Sequence, residues 1–157
     1  MRLFKRLLAA SGFVAGTLNR GPTPRIVVDA ENAADWIAKA LLSEGYEVDF
    51  SLESLKEIDR FFDDHAPDGA IKPSGLLSRD LGTRVFGIGS YVGEVLRREA
   101  GGDWQGDDDD PQAEINIALK LPDGALLWPV QRVMKRCQIG PEESVFVYGS
   151  VAKQATG

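Results

Sequence analysis

Apolar positions recur at helical intervals along most of the chain, with short alternating stretches between them. From Asp29 to Glu44 they fall at Ala33, Ile37, Ala40 and Leu41 with Trp36 beside them, which predicts a helix capped by Asp29 and stopped at Gly45. Ahead of it, the β-branched run Arg25–Val28 predicts a short strand or extended lead-in. Tyr46 to Phe50 alternates apolar and polar, the signature of a half-buried strand. Ser51 then caps a second helix, with Leu52, Leu55, Ile58 and Phe62 on one face and Phe61 at its edge. Its other face carries Lys56, Glu57, Arg60 and Asp63, and Pro67, Asp68, Gly69, Pro73 and Gly75 mark the loop that follows.

Helical spacing returns from Leu76 to Glu99 through Leu81, Val85, Ile88, Val92 and Val95 or Leu96. Glycines at 82, 87, 89 and 93 interrupt it. An interior glycine costs a helix about 0.8–1.0 kcal/mol against alanine, so the group predicts close backbone approach to a neighbouring element. Gly101 and Gly102 end the helix, and Asp107–Asp110 after Trp104 reads as a solvated loop. Ala113 to Lys120 predicts a strand with Ile115, Ile117 and Leu119 on one face. Pro122, Asp123 and Gly124 turn it back into a return strand over Ala125–Trp128. Val130–Gln138 predicts a helix closed by Gly140. Pro141 at a first helical position, with Glu142 and Glu143, starts a last helix carrying Val145, Phe146 and Tyr148, with Thr156 and Gly157 fraying.

The first 18 residues place Leu3, Leu7, Ala10, Val14 and Leu18 on one stripe, widened by Phe4 and Leu8, with Arg2, Lys5 and Arg6 largely away from it. This predicts an amphipathic helix that packs on the domain, on a partner or on an anionic membrane surface. A secretory signal competes, but Ser11, Gly12, Gly16 and Thr17 dilute its apolar run and no A-x-A site follows. The run is also too short to span a bilayer. Asn19 to Pro24 forms a linker, dividing the chain into a leader over 1–24 and a single domain over 25–157. Helices alternating with isolated strands, then a late hairpin, predict an α+β fold: several helices on a small antiparallel sheet, preceded by that amphipathic helix.

Composition narrows the class. The 157 residues are 43% hydrophobic and 27% charged, enough for a core without disulfides or metals. They exclude a collagen-like, transmembrane, disulfide-rich or wholly disordered chain. The net charge of −6 conceals a segregation: residues 1–25 hold five bases and no acid, and the remainder 13 bases against 24 acids. An acidic body disfavours nucleic acid as a partner. One cysteine, Cys137, fits a reducing cytoplasm, with export or membrane association the alternative if residues 1–18 act as a signal or anchor.

Candidate chemistry is sparse. Gly87, Gly89 and Gly93 suggest a dinucleotide fingerprint, but Val92 stands where its third glycine belongs and no strand leads in. Asp107–Asp110 lacks the spacing of a calcium loop, since Gln112 occupies the position needing glycine. His65 with Asp63, Asp64 and Asp68 is a possible acid–base cluster, or simply a helix C-terminus favouring histidine. One His and one Cys are too few for a zinc site. No metal or cofactor is expected. Arg132, Lys135 and Arg136 form a basic stripe suited to a protein partner or to intramolecular acids, and Tyr91, Trp104 and Trp128 are interface anchors or core residues.

Three segments carry a resemblance: Glu47–Asp59, then Gly89–Leu96 leading to Trp104, then Trp128–Arg136 leading to Gly140. Over about residues 45–148 the chain resembles a loose group of small bacterial domains of unknown function. The resemblance implies a serine-capped helix, a glycine-containing helix, a tryptophan strand and a hairpin in a compact α+β domain, with no activity attached. The expected function is a non-catalytic binding or protein-interaction domain of a bacterial protein, with Tyr91, Glu94, Trp104, Arg132, Lys135 and Arg136 as candidate binding residues on its surface. The alternatives are a small enzyme with carboxylates near His65 or a pocket beside Gly89, Tyr91 and Glu94, and a peripheral membrane protein anchored by residues 1–18.

Overall fold

The structure, a computed structural model, describes residues 21–156; the leader helix expected over 1–18 lies outside the described residues, as does Gly157. Six helices pack with a three-stranded antiparallel sheet in an α+β fold. In chain order the elements are α1 (Arg25–Ser43), α2 (Leu55–His65), α3 (Leu81–Ala100), β1 (Asp103–Gln105), α4 (Ala113–Asn116), β2 (Ala118–Lys120), β3 (Leu126–Leu127), α5 (Pro129–Ile139) and α6 (Val145–Thr156). The sheet order is β1-β2-β3, with Trp104 opposite Leu119 and Leu119 opposite Leu127.

The organising element is α3. Every residue from Val85 to Leu96 is buried, because α1, α5 and α6 all pack on it. A helix enclosed in this way needs apolar or small residues all round, which is what its sequence supplies. The close approach expected of the glycines holds at three of them. A Cβ on Gly93 would overlap the Trp104 indole, one on Gly89 would lie 2.6 Å from the Val130 Cα, and one on Gly87 would lie 3.2 Å from the Ile37 Cβ. Gly82 differs: a Cβ there meets nothing within 4 Å.

Several boundaries differ from the sequence expectation, for identifiable reasons. Arg25–Val28 is the first turn of α1, not a strand, and Pro24 rather than Asp29 occupies the cap position. The cap is supplied from far along the chain: the Asp108 carboxylate accepts the N–H groups of Arg25 at 2.8 Å and Ile26 at 2.9 Å. The aspartate run is therefore more than a solvated loop. On α1 the buried stripe is Ala30, Ala34, Ile37, Ala38 and Leu41, while Ala33 and Ala40 are only half-buried and Trp36 is exposed. Tyr46–Phe50 keeps the expected alternation of burial without becoming a strand. The Phe50 N–H is satisfied by the Tyr91 hydroxyl at 2.9 Å instead of by a ladder partner.

Leu76–Asp80 is a series of turns, so α3 begins only at Leu81. Trp104 sits at the centre of β1. Ala113–Asn116 winds into α4 rather than opening the strand, because Asp110 accepts the Gln112 N–H and the Asn116 amide, both at 2.8 Å. Pro141–Glu143 is a separate 3-10 turn, and α6 starts at Val145 under a second distant cap. There the Asp59 carboxylate takes the N–H groups of Val145 at 3.0 Å and Phe146 at 3.1 Å.

Candidate functional site

The first half of α3 and the inner side of α5 diverge enough to leave an apolar groove of about 360 Å³. Its floor is Val85 and Phe86 from α3, and Val130, Met134 and Cys137 from α5. On α5 these three fall at i, i+4 and i+7, one helical stripe. Ile115 from α4 and Ile71 from the loop after α2 also line it. The lips are unusually apolar for a surface, with Leu81 38% and Ile71 36% exposed. Gly82 opens onto the same space, which is why its missing Cβ meets no neighbour. Among the described residues, Glu114 and Gln138 are the only polar side chains lining it. Burial pushes the Cys137 thiol up, only partly offset by Arg136, so the nucleophilic thiolate is disfavoured there.

A larger cleft of about 440 Å³ lies between the Gly21–Pro24 segment, the start of α1 and β1. Its guanidinium, Arg97, is already committed to Glu94 by bonds of 2.8 and 2.9 Å. The groove is the better candidate because its apolar surface has no partner among the described residues.

No family model, curated protein or solved structure matches the chain. The function must therefore be read from the groove and its surroundings.

Four of the residues expected on the surface are inside. The Tyr91 hydroxyl lies 2.5 Å from Ser54 Oγ, and the ring stacks on Phe50 at 4.6 Å. Glu94 accepts the Trp104 indole N–H at 2.8 Å as well as Arg97. Burial alone would push the Glu94 carboxyl up, but the Arg97 and Trp104 hydrogen bonds and the charges of Arg97 and Arg98 outweigh it and hold the carboxyl below its ordinary range. Trp104 is buried by the same contacts. Arg136, 1% exposed, ties α5 to α2 through Asp59 at 3.0 Å and Asp63 at 2.7 Å. Arg132 is half-buried, paired with Glu143 at 2.8 Å and lying over the Tyr148 ring. Lys135 alone of the six is exposed.

The pocket expected beside Gly89, Tyr91 and Glu94 is occupied by protein: Val130 fills the space at Gly89, and the two polar groups are satisfied by the partners just named. Nor do the acids near His65 converge. Asp63 serves Arg136, Asp64 takes the Tyr46 hydroxyl at 2.6 Å, and Asp68 sits in a turn at φ 51. Among the described residues no cluster of three or more His, Cys, Asp or Glu could hold a metal ion.

The groove is not legible as such in the sequence, where Val85 and Ile115 read as core or strand positions and α5 as a carrier of a basic stripe. The available signal was the Val130, Met134, Cys137 stripe, opposite the basic residues of the same helix.

Proposed function

We propose that this protein is a non-catalytic interaction domain that receives an apolar segment of a protein partner in the groove between α3 and α5. The observation that carries the reading is the continuity of apolar floor and exposed apolar lips from Ile71 through Leu81 and Met134 to Ile115. A groove of this size accepts two or three side chains from one face of an amphipathic helix. The raised thiol of Cys137 is inert packing in this reading. A cytoplasmic setting suits that free, buried thiol, and among the described residues no helix is long and apolar enough to cross a membrane.

A photocrosslinking side chain at Leu81 in the full chain, expressed in its own host, tests the proposal. A defined protein adduct is expected. It should vanish in Gly82→Trp, whose Cβ meets nothing within 4 Å and whose indole is meant to fill the groove. An adduct that survives this filling would place the partner elsewhere.

A further inference from the structure

The chain's one histidine lies in the last turn of α2 with both ring nitrogens engaged. Nδ1 is 3.1 Å from the backbone N–H of Leu76, and Nε2 is 3.2 Å from the Tyr46 hydroxyl. A backbone N–H can only donate, so Nδ1 is the bare acceptor and Nε2 carries the ring hydrogen. Nε2–H therefore donates to Tyr46 Oη, and the tyrosine hydrogen goes on to Asp64 Oδ2 at 2.6 Å. Every donor meets an acceptor along the line Leu76, His65, Tyr46, Asp64.

This line fastens the segment 70–77 to α2. Besides the Leu76 bond, the Lys72 N–H donates to the His65 carbonyl at 2.9 Å, and the buried Leu77 plugs the core beneath. Gly75 lets the backbone come close, since a Cβ there would stand 2.9 Å from His65 Nδ1. From α3, the Arg84 guanidinium holds the Leu76 carbonyl.

A second proton can enter the imidazole only at Nδ1. It would turn the acceptor of Leu76 into a donor and set two N–H groups against each other at 3.1 Å. We propose that His65 is a pH-sensitive latch, whose protonation releases the Leu76 backbone and with it the 70–77 segment from α2.

The charged surroundings are mixed. Burial pushes the imidazole below its ordinary range; Asp64, on its own helix, pulls it up, Lys72 from the segment pushes it down, and Glu44 beyond the end of α1 pulls it up. Arg60 lies over the Tyr46 ring and 3.8 Å from Asp64, tempering that carboxylate's pull. Ile71, one lip of the groove, belongs to the latched segment, but the latch stands whether or not the groove has a partner.

Amide hydrogen exchange by NMR on the full chain, with His65 titrated in the same samples from pH 8 to pH 5, tests the latch. Rates are divided by the intrinsic rate at each pH, which removes base catalysis. Leu76 protection is expected to fall about tenfold or more with the midpoint of the His65 titration, while Ile88 and Val92 in α3 keep theirs. His65→Asn places its Oδ1 where Nδ1 accepts from Leu76 but cannot titrate, so its protection should stay level. Unchanged Leu76 protection through the wild-type titration overturns the proposal, and so does an equal fall in His65→Asn.

Discussion

Gly93 and Gly82 lie in the same helix under opposite constraints. A methyl on Gly93 would enter the Trp104 indole, which is itself pinned by its hydrogen bond to Glu94 and cannot swing aside freely. Gly93→Ala should therefore destabilise the fold by about 1–3 kcal/mol in urea melts. Gly82→Ala meets open space in the first turn of α3 and should stabilise by about 0.4–1 kcal/mol, by restricting the unfolded chain. The same sign for both changes would show that helix propensity, not contact, governs these positions. The glycine anomaly was legible in the sequence, but its partners were not. Trp104 lies only ten residues from Glu94 in bonding distance, whereas Val130 reaches Gly89 from the far side of the sheet segment. The same applies to Arg136: its charge is visible, but its burial follows from Asp59, 77 residues away.

At the scale of elements, two helices are begun by carboxylates that belong to other parts of the chain. Asp108 starts α1, and Asp59 starts α6 while also receiving Ser144 Oγ at 2.7 Å and Arg136. Reading caps from adjacent residues consequently misplaced both starts, at Arg25–Val28 and at Pro141–Glu143. By contrast the ends of α1, α3 and α5 were legible, because Gly45, Gly101 and Gly140 adopt positive φ locally. The hairpin around Gly124 was legible for the same reason. Asp59→Ala removes one carboxylate from three elements and leaves a buried guanidinium with Asp63 as its one carboxylate, beside the carbonyl of residue 59. It should cost about 3–5 kcal/mol of unfolding free energy, where Asp59→Asn, which keeps one of the two acceptor oxygens, costs less. A loss below about 1 kcal/mol on Asp59→Ala would mean that Arg136 and α6 find other partners.

Across the whole molecule, an acidic α+β body surrounds one continuous apolar cluster running from Ile26 to Ala152, and α3 is its axis. Several groups give its stability a pH dependence: Glu57, Asp49, Asp108 and Asp110 are held low by their hydrogen bonds, and the two more buried groups His65 and Glu94 act in separate windows. His65 is held below its ordinary range, so the unfolded chain takes up its proton first and stability declines as pH falls below about 6.5. Glu94 is held low as well; its contribution is complete above about pH 4.3 and disappears as pH falls through its folded value. Thermal melts should accordingly show a decline below neutrality that His65→Asn removes, and a second in acid that Glu94→Gln reduces while the other low carboxyls keep the rest. A single acid transition unaffected by either substitution would contradict both assignments.

The groove is a property of this scale too, since α3, α4, α5 and the 70–77 segment must all be in place to form it. The exposed ridge of α6, with Val147 at 58% and Val151 at 60%, is the competing apolar surface. Methyl NMR of the full chain, titrated with extract of its own host, separates the two most directly. The groove reading predicts that the Val85, Val130 and Met134 methyls shift or broaden while those of Val147 and Val151 stay fixed. Perturbation confined to Val147 and Val151 would contradict it.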